Sequence, residues 1–130
     1  MSLLERLPTV LGEAMGVVEE SDGALTVTVD GAVASLRVVT IGEGLEMLSL
    51  TQPLAWDLPS TNKTRARVIE HAAKTMLGTV TLVERDADGP VADVLLRYNF
   101  PAAGLTDDAL LTLILMVLST GTDIRAALIA

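Results

Sequence analysis

The chain has 130 residues, half of them hydrophobic, with a formal charge of −8, one Trp, one Tyr, one Phe and no cysteine. That length holds one domain, 1–130, with enough chain for a core of Leu, Val, Ile, Ala and Met. The acidic balance opposes general nucleic-acid binding and attachment to anionic lipid. The lack of cysteine excludes disulfides, thiolate catalysis and Cys-based metal sites.

The first segment, SLLERLPTVLGEAMG, predicts a helix. Ser2 and Glu5 have capping-box spacing, in which the hydroxyl accepts a backbone N–H and the carboxylate reaches back. Pro8 either kinks this helix or marks the first turn of one that starts near residue 7. Leu4, Leu7, Leu11 and Met15 form the apolar face, and Gly16 is a plausible stop. No secretory leader is visible in MSLLERLPTV, so a cytoplasmic location is the default expectation.

Strand-like alternation follows. Thr26 and Thr28 separate Leu25, Val27 and Val29. Asp30-Gly31 is a strong hairpin signal, because both residues tolerate positive φ in a type I′ turn. Gly42–Gly44 is a second turn. Three strands over 24–29, 33–41 and 45–51 make an antiparallel meander. The Pro-bounded stretch TQPLAWDLPSTNK is then a connector, with Trp56 outside any strand.

The period changes at Ser60-Thr61-Asn62, a cluster of helix caps. Ala66, Ile69, Ala73 and Met76 fall on one helical face, with Lys63, Arg67, Glu70 and Lys74 on the other. Four of the nine basic residues (Lys63, Arg65, Arg67 and Lys74) lie in this helix. They form a solvated face or one that meets an acidic segment. Two further strands, TVTLVER and VADVLLRYNF, flank the turn-rich DADGP. Thr106 caps the last helix, with Asp107 and Asp108 at its positive end.

The last helix carries more apolar surface than a sheet-covering stripe requires. Leu110, Ile114, Val117, Gly121, Ile124 and Leu128 form one continuous seam. Leu111, Leu115 and Leu118 form a second row. From Leu110 to Gly121 the run gives about a dozen helical residues, roughly 18 Å. That is too short for a hydrocarbon core of about 30 Å. The second row is therefore buried by the opening helix or by another molecule, and a two-fold dimer through Leu111, Leu115 and Leu118 is favoured. Gly121, inside the seam, either ends the first part of the helix or lets another backbone approach.

Catalytic, cofactor-binding and metal-binding signatures are missing. His71 is the sole histidine, so Glu70-His71 has no second His to complete a metal pair. No nucleophile elbow occurs, IGEGLE lacks a phosphate-loop pattern, and DADG lacks the remaining ligands of a calcium loop. Trp56, the sole indole, closes a core edge or serves as an interface anchor.

The element order is α-β-β-β-α-β-β-α, an α+β domain with about five antiparallel strands and helices mainly on one face. That order, the acidic balance, SLTQPLAWDLP leading into the middle helix, and VADVLLRYNFPAAGLTDDALLTLILMVL resemble the YbjN-like proteins, which share the fold of the type III secretion chaperones. The resemblance implies a non-catalytic domain, typically a homodimer, with client binding suggested by the chaperones; carried onto this chain, it implies Leu111, Leu115 and Leu118 as dimer surface and Trp56 with Leu54 and Leu58 as a candidate client groove. The expected function is thus a homodimeric protein- or peptide-binding module, chaperone-like or regulatory, without cofactor, nucleic acid or membrane as partner. The alternative is a small-molecule-binding regulatory domain.

Overall fold

The computed structural model describes residues 2–129. Three helices and six strands follow one another as α1 (Leu3–Gly12), β1 (Gly16–Glu19), β2 (Leu25–Val29), β3 (Ala32–Gly42), β4 (Leu45–Pro59), α2 (Asn62–Ala72), β5 (Thr79–Asp86), β6 (Pro90–Pro101) and α3 (Asp107–Ile129). The strands form one antiparallel sheet in the order β1-β2-β3-β4-β6-β5. The α+β class and the one-sided helix layer are as the sequence predicts, with one strand added.

Both halves of the capping box form: Ser2 accepts from the Glu5 N–H, and the Glu5 carboxylate accepts from Ser2. Pro8 lies inside α1, and the helix ends at Gly12, ahead of the expected stop. Gly16 instead opens β1, an edge strand paired with β2. Leu3, Leu7 and Leu11 face the core, and Leu4 faces out. Arg6 ties α1 to the approach to α3, donating to the carbonyls of Ala103 and Leu105 and to the Asp107 carboxylate.

Alternation places Leu25, Val27, Ala34, Leu36, Leu48, Leu50, Val94, Leu96 and Phe100 on the helix side of the sheet. Each fully buried Leu or Val contributes about 1.5–3 kcal/mol of transfer free energy. Tyr98 and Phe100, two apart on β6, stack on that same side with ring centroids 4.6 Å apart. The other face carries Val33, Arg37, Val39 and Ile41 into solvent.

The seam of α3 is buried throughout: Leu110, Ile114, Val117, Gly121, Ile124 and Leu128 all lie inside. Gly121 does not end the helix, and what stands nearest to it is a side chain. The side chain of Gln52 fills the space a Cβ would take, with its Oε1 only 2.1 Å from that position. Because α3 runs unbroken for 23 residues, its length is about 34 Å at ~1.5 Å per residue. The length argument against a membrane span therefore fails. The sheet occupies the seam, and Asp123 and Arg125 interrupt the outer side.

The middle helix corrects the sequence reading most sharply. It ends at Ala72, so Ala73 caps it and Met76 lies in the turn beyond. Ala66, Ile69, Ala73 and Met76 all point to solvent, with Ile69 and Met76 exposed by 70% and 85%. Val68 is the one buried residue of α2. Polar side chains hold the helix in place. Arg65 pairs with Glu84 on β5 and donates to the Asn62 side chain, while Arg67 donates to the Ala127 carbonyl near the end of α3. Thr61 supplies the cap, its hydroxyl accepting from the Thr64 N–H.

Candidate functional site: a wedge between two central strands

The long β4 extends through the segment read from sequence as a connector. It leaves its neighbour β3 halfway. The β3–β4 ladder runs no further than Ser35↔Thr51, while β2–β3 continues to Val29↔Ala32 and β4–β6 continues to Pro59↔Val91. The cause is in the chain. Asp30 and Gly31 both have positive φ (48° and 82°), a two-residue I′ turn that makes Val29↔Ala32 a hydrogen-bonded pair. Alternation then aims the main-chain groups of Val33 and Ser35 at β4. Ser35 finds Thr51. Val33 would next meet Pro53, which has no N–H to give.

The sheet therefore opens into a wedge of about 540 Å³, closed at the Ser35–Thr51 rung. Val33 lines one side, Gln52 and Leu54 the floor, and Arg125 and Ile129 of α3 the roof, with Trp56 at the rim. A smaller recess of about 340 Å³ between Val29 and the Leu115–Leu118 turn of α3 shares Asp30 and Thr122 with it.

Two register shifts in β4, at Pro53/Ala55 and Ala55/Leu58, turn the indole outward. Trp56 is 60% exposed, whereas Leu54 is 1% exposed. A polar strap fixes the second irregularity. Asp57 takes φ of 57°, its N–H donates to Asp93 at 2.9 Å, and Arg85 bridges the Asp57 and Asp93 carboxylates. The Arg85 guanidinium, and then the Asp57 N–H, hold the Asp93 carboxyl below the usual range. The same two carboxylates raise Arg85.

The six residues singled out by sequence are dispersed. Leu54 and Trp56 line the wedge, but Leu58 lies with Lys63, Arg67 and Leu128 at a separate recess of about 150 Å³. Leu54 is part of the core, so it contributes a floor and not an exposed wall. Leu118 is 2% exposed within the subunit. Leu111 and Leu115 are half-buried against the core. Burial within the same chain thus accounts for Leu118 and for much of the other two. Sequence reasoning missed Val33, Gln52 and Arg125. The spacing of Pro53 from the Asp30-Gly31 turn was the available signal. Among the described residues, no group of three His, Asp or Glu gathers as a metal site would require.

The fold places the chain with α+β proteins whose helices pack on one side of an antiparallel sheet. No family model and no curated protein matches it. Among solved structures it superposes on YbjN from E. coli, a protein provisionally assigned as a transcription regulator, with a TM-score of 0.64. The match covers 95% of this chain and 92% of that one at 14% identity. The shared property is the fold, in agreement with the resemblance seen in the sequence.

Proposed function

We propose that this chain is a non-catalytic, homodimeric module that binds a protein or peptide segment, in a chaperone-like or regulatory role. The observation that carries this reading is the wedge. The chain's sole indole is held at its rim by an ionic strap of Asp57, Arg85 and Asp93, and a central strand leaves main-chain groups unpaired beside it. Exposed indoles on rigid backbone make effective anchors, and free strand edges accept extended segments. A pull-down followed by peptide mapping tests it; recovery of no enriched segment at micromolar protein counts against it.

Dimerisation is favoured by the outward stripe of α2 and the turn that follows it. The stripe is symmetric in sequence about His71. An antiparallel copy crossing there sets Ile69 against the partner's Ala73 and Ala66 towards the partner's Met76. Each pair places a large side chain over a small one, which suits elements packed ~8–10 Å apart. Light scattering on Ile69→Asp and Leu115→Asp separates this surface from the α3 row. Ile69→Asp yields a stable monomer, and Leu115→Asp loses stability because its leucine packs on the core. A monomeric wild type, or a dimeric Ile69→Asp, removes the α2 contact.

The wedge volume also falls in the range of small-molecule sites, which supports the regulatory-ligand alternative. A thermal-shift screen with metabolites distinguishes it, because a ligand specific for the folded state raises the melting temperature. The acidic charge supports a protein without nucleic acid or anionic membrane as partner.

A further inference from the structure

We propose, resting on the binding-module reading, that the wedge takes the carboxyl end of a partner polypeptide: an apolar last residue with its free α-carboxylate on Arg125. Three observations converge on a chain end. The wedge is blind. An extended segment that enters beside the Asp30-Gly31 turn and pairs with Val33 runs into the Ser35–Thr51 rung, so it cannot continue between the strands. The pairing partner is main chain, because Val33 turns its N–H and C=O into a gap that Pro53 cannot close. The charge at the roof is a guanidinium. Among the described residues, Arg125 joins none of the ion pairs formed by Arg6, Arg37, Arg65 and Arg85.

The remaining lining fits the last side chain. Leu54, Ala55, Trp56 and Ile129 surround an apolar volume with no charge of their own. A guanidinium recognises a carboxylate through two parallel hydrogen bonds, which a terminal amide cannot reproduce. Asp30 stands at the entrance and disfavours an acidic residue upstream of the chain end. Specificity therefore lies in the terminus and its side chain, not in a long sequence.

Trp56 reports occupancy directly, because no other indole contributes to the fluorescence. The full-length protein is titrated with a short uncharged peptide ending in leucine, as free acid and as C-terminal amide, and with N-acetyl-leucine. The free acid is expected to shift Trp56 emission and to bind at least about tenfold more tightly than the amide. Arg125→Gln, confirmed folded by circular dichroism, removes that preference. Equal binding of acid and amide overturns the proposal and leaves the binding-module reading standing. Binding of neither peptide also overturns the proposal, and the pull-down then decides the binding-module reading separately. N-acetyl-leucine binding as tightly as the peptide also overturns it, since the site then takes a small carboxylate.

Discussion

Replacing Gly121 by alanine tests how α3 sits on the sheet. In an isolated helix the exchange stabilises by about 1 kcal/mol, because Gly has the larger backbone entropy to lose. Here the new methyl would stand 2.1 Å from Gln52 Oε1, 2.5 Å from its Cδ and 2.8 Å from its Nε2. The amide cannot remain. It is enclosed between β4 and α3, and moving it breaks the 3.4 Å bond from Nε2 to the Leu118 carbonyl. Overpacking of this kind costs about 1–3 kcal/mol, and the lost hydrogen bond about 1. After the propensity gain, the net expectation is a loss of about 1–3 kcal/mol. For a chain of this length that lowers Tm by roughly 4–11 °C.

The Gln52→Ala background reverses the sign. With the amide gone, the methyl introduced by Gly121→Ala fills part of the space and regains the propensity term. The double variant should therefore be more stable than Gln52→Ala alone by about 1 kcal/mol. Urea titrations followed by far-UV circular dichroism on the four proteins give both steps. If Gly121→Ala has the same sign in both backgrounds, Gln52 and Gly121 are not in contact and the seating of α3 is wrong.

Two further expectations rest on single groups. Gln52 Oε1 is buried without a hydrogen-bond donor, so Gln52→Met, which keeps the length and removes the orphan acceptor, should stabilise by about 1 kcal/mol. A clear loss in the same urea titration would mean that the oxygen has a donor in solution, such as an ordered water. The Asp93 carboxyl is depressed in the fold by Arg85 and the Asp57 N–H. Its contribution to stability is therefore complete above the unfolded carboxylate range and is lost as pH falls through the lowered folded value. The Tm gap between wild type and Asp93→Asn should stay constant from about pH 7 to about pH 5 and narrow below that as pH falls towards about 2. A gap that does not change with pH would show that the charge of Asp93 is immaterial to the strap.

What the sequence disclosed depended on whether a local rule had a competitor. The α3 seam was legible because its spacing agrees from Leu110 to Leu128 and nothing else in the chain could face the sheet so continuously. The capping box and the I′ turn were legible because each is a local hydrogen-bond or φ requirement, and both form. The short β1 was not, since Val17 and Val18 between a Gly and two Glu are too short a run to show alternation. The extension of β4 was hidden by its own prolines. Pro53 and Pro59 read as connector, yet both are tolerated where the ladder on one side is absent or ending.

The helix α2 failed for a different reason, and it bears most on function. Apolar periodicity says which residues share a face; it does not say which face turns inward. Here two arginines of the helix reach neighbouring elements. Arg65 has Glu84 to reach on β5, and Arg67 has the Ala127 carbonyl near the negative end of α3. In this orientation Val68 alone is buried in α2, while Ile69 and, past the helix end, Met76 stand in water. A lone subunit forgoes the burial of both side chains, which at ~1.5–3 kcal/mol each is comparable to the net stability of a small domain. An isologous contact would recover that burial without disturbing Arg67, which lies on the side of α2 away from Ile69. The surplus of apolar surface that the sequence assigns to α3 is thus largely spent inside the subunit, and the unspent surface lies one helix earlier in the chain.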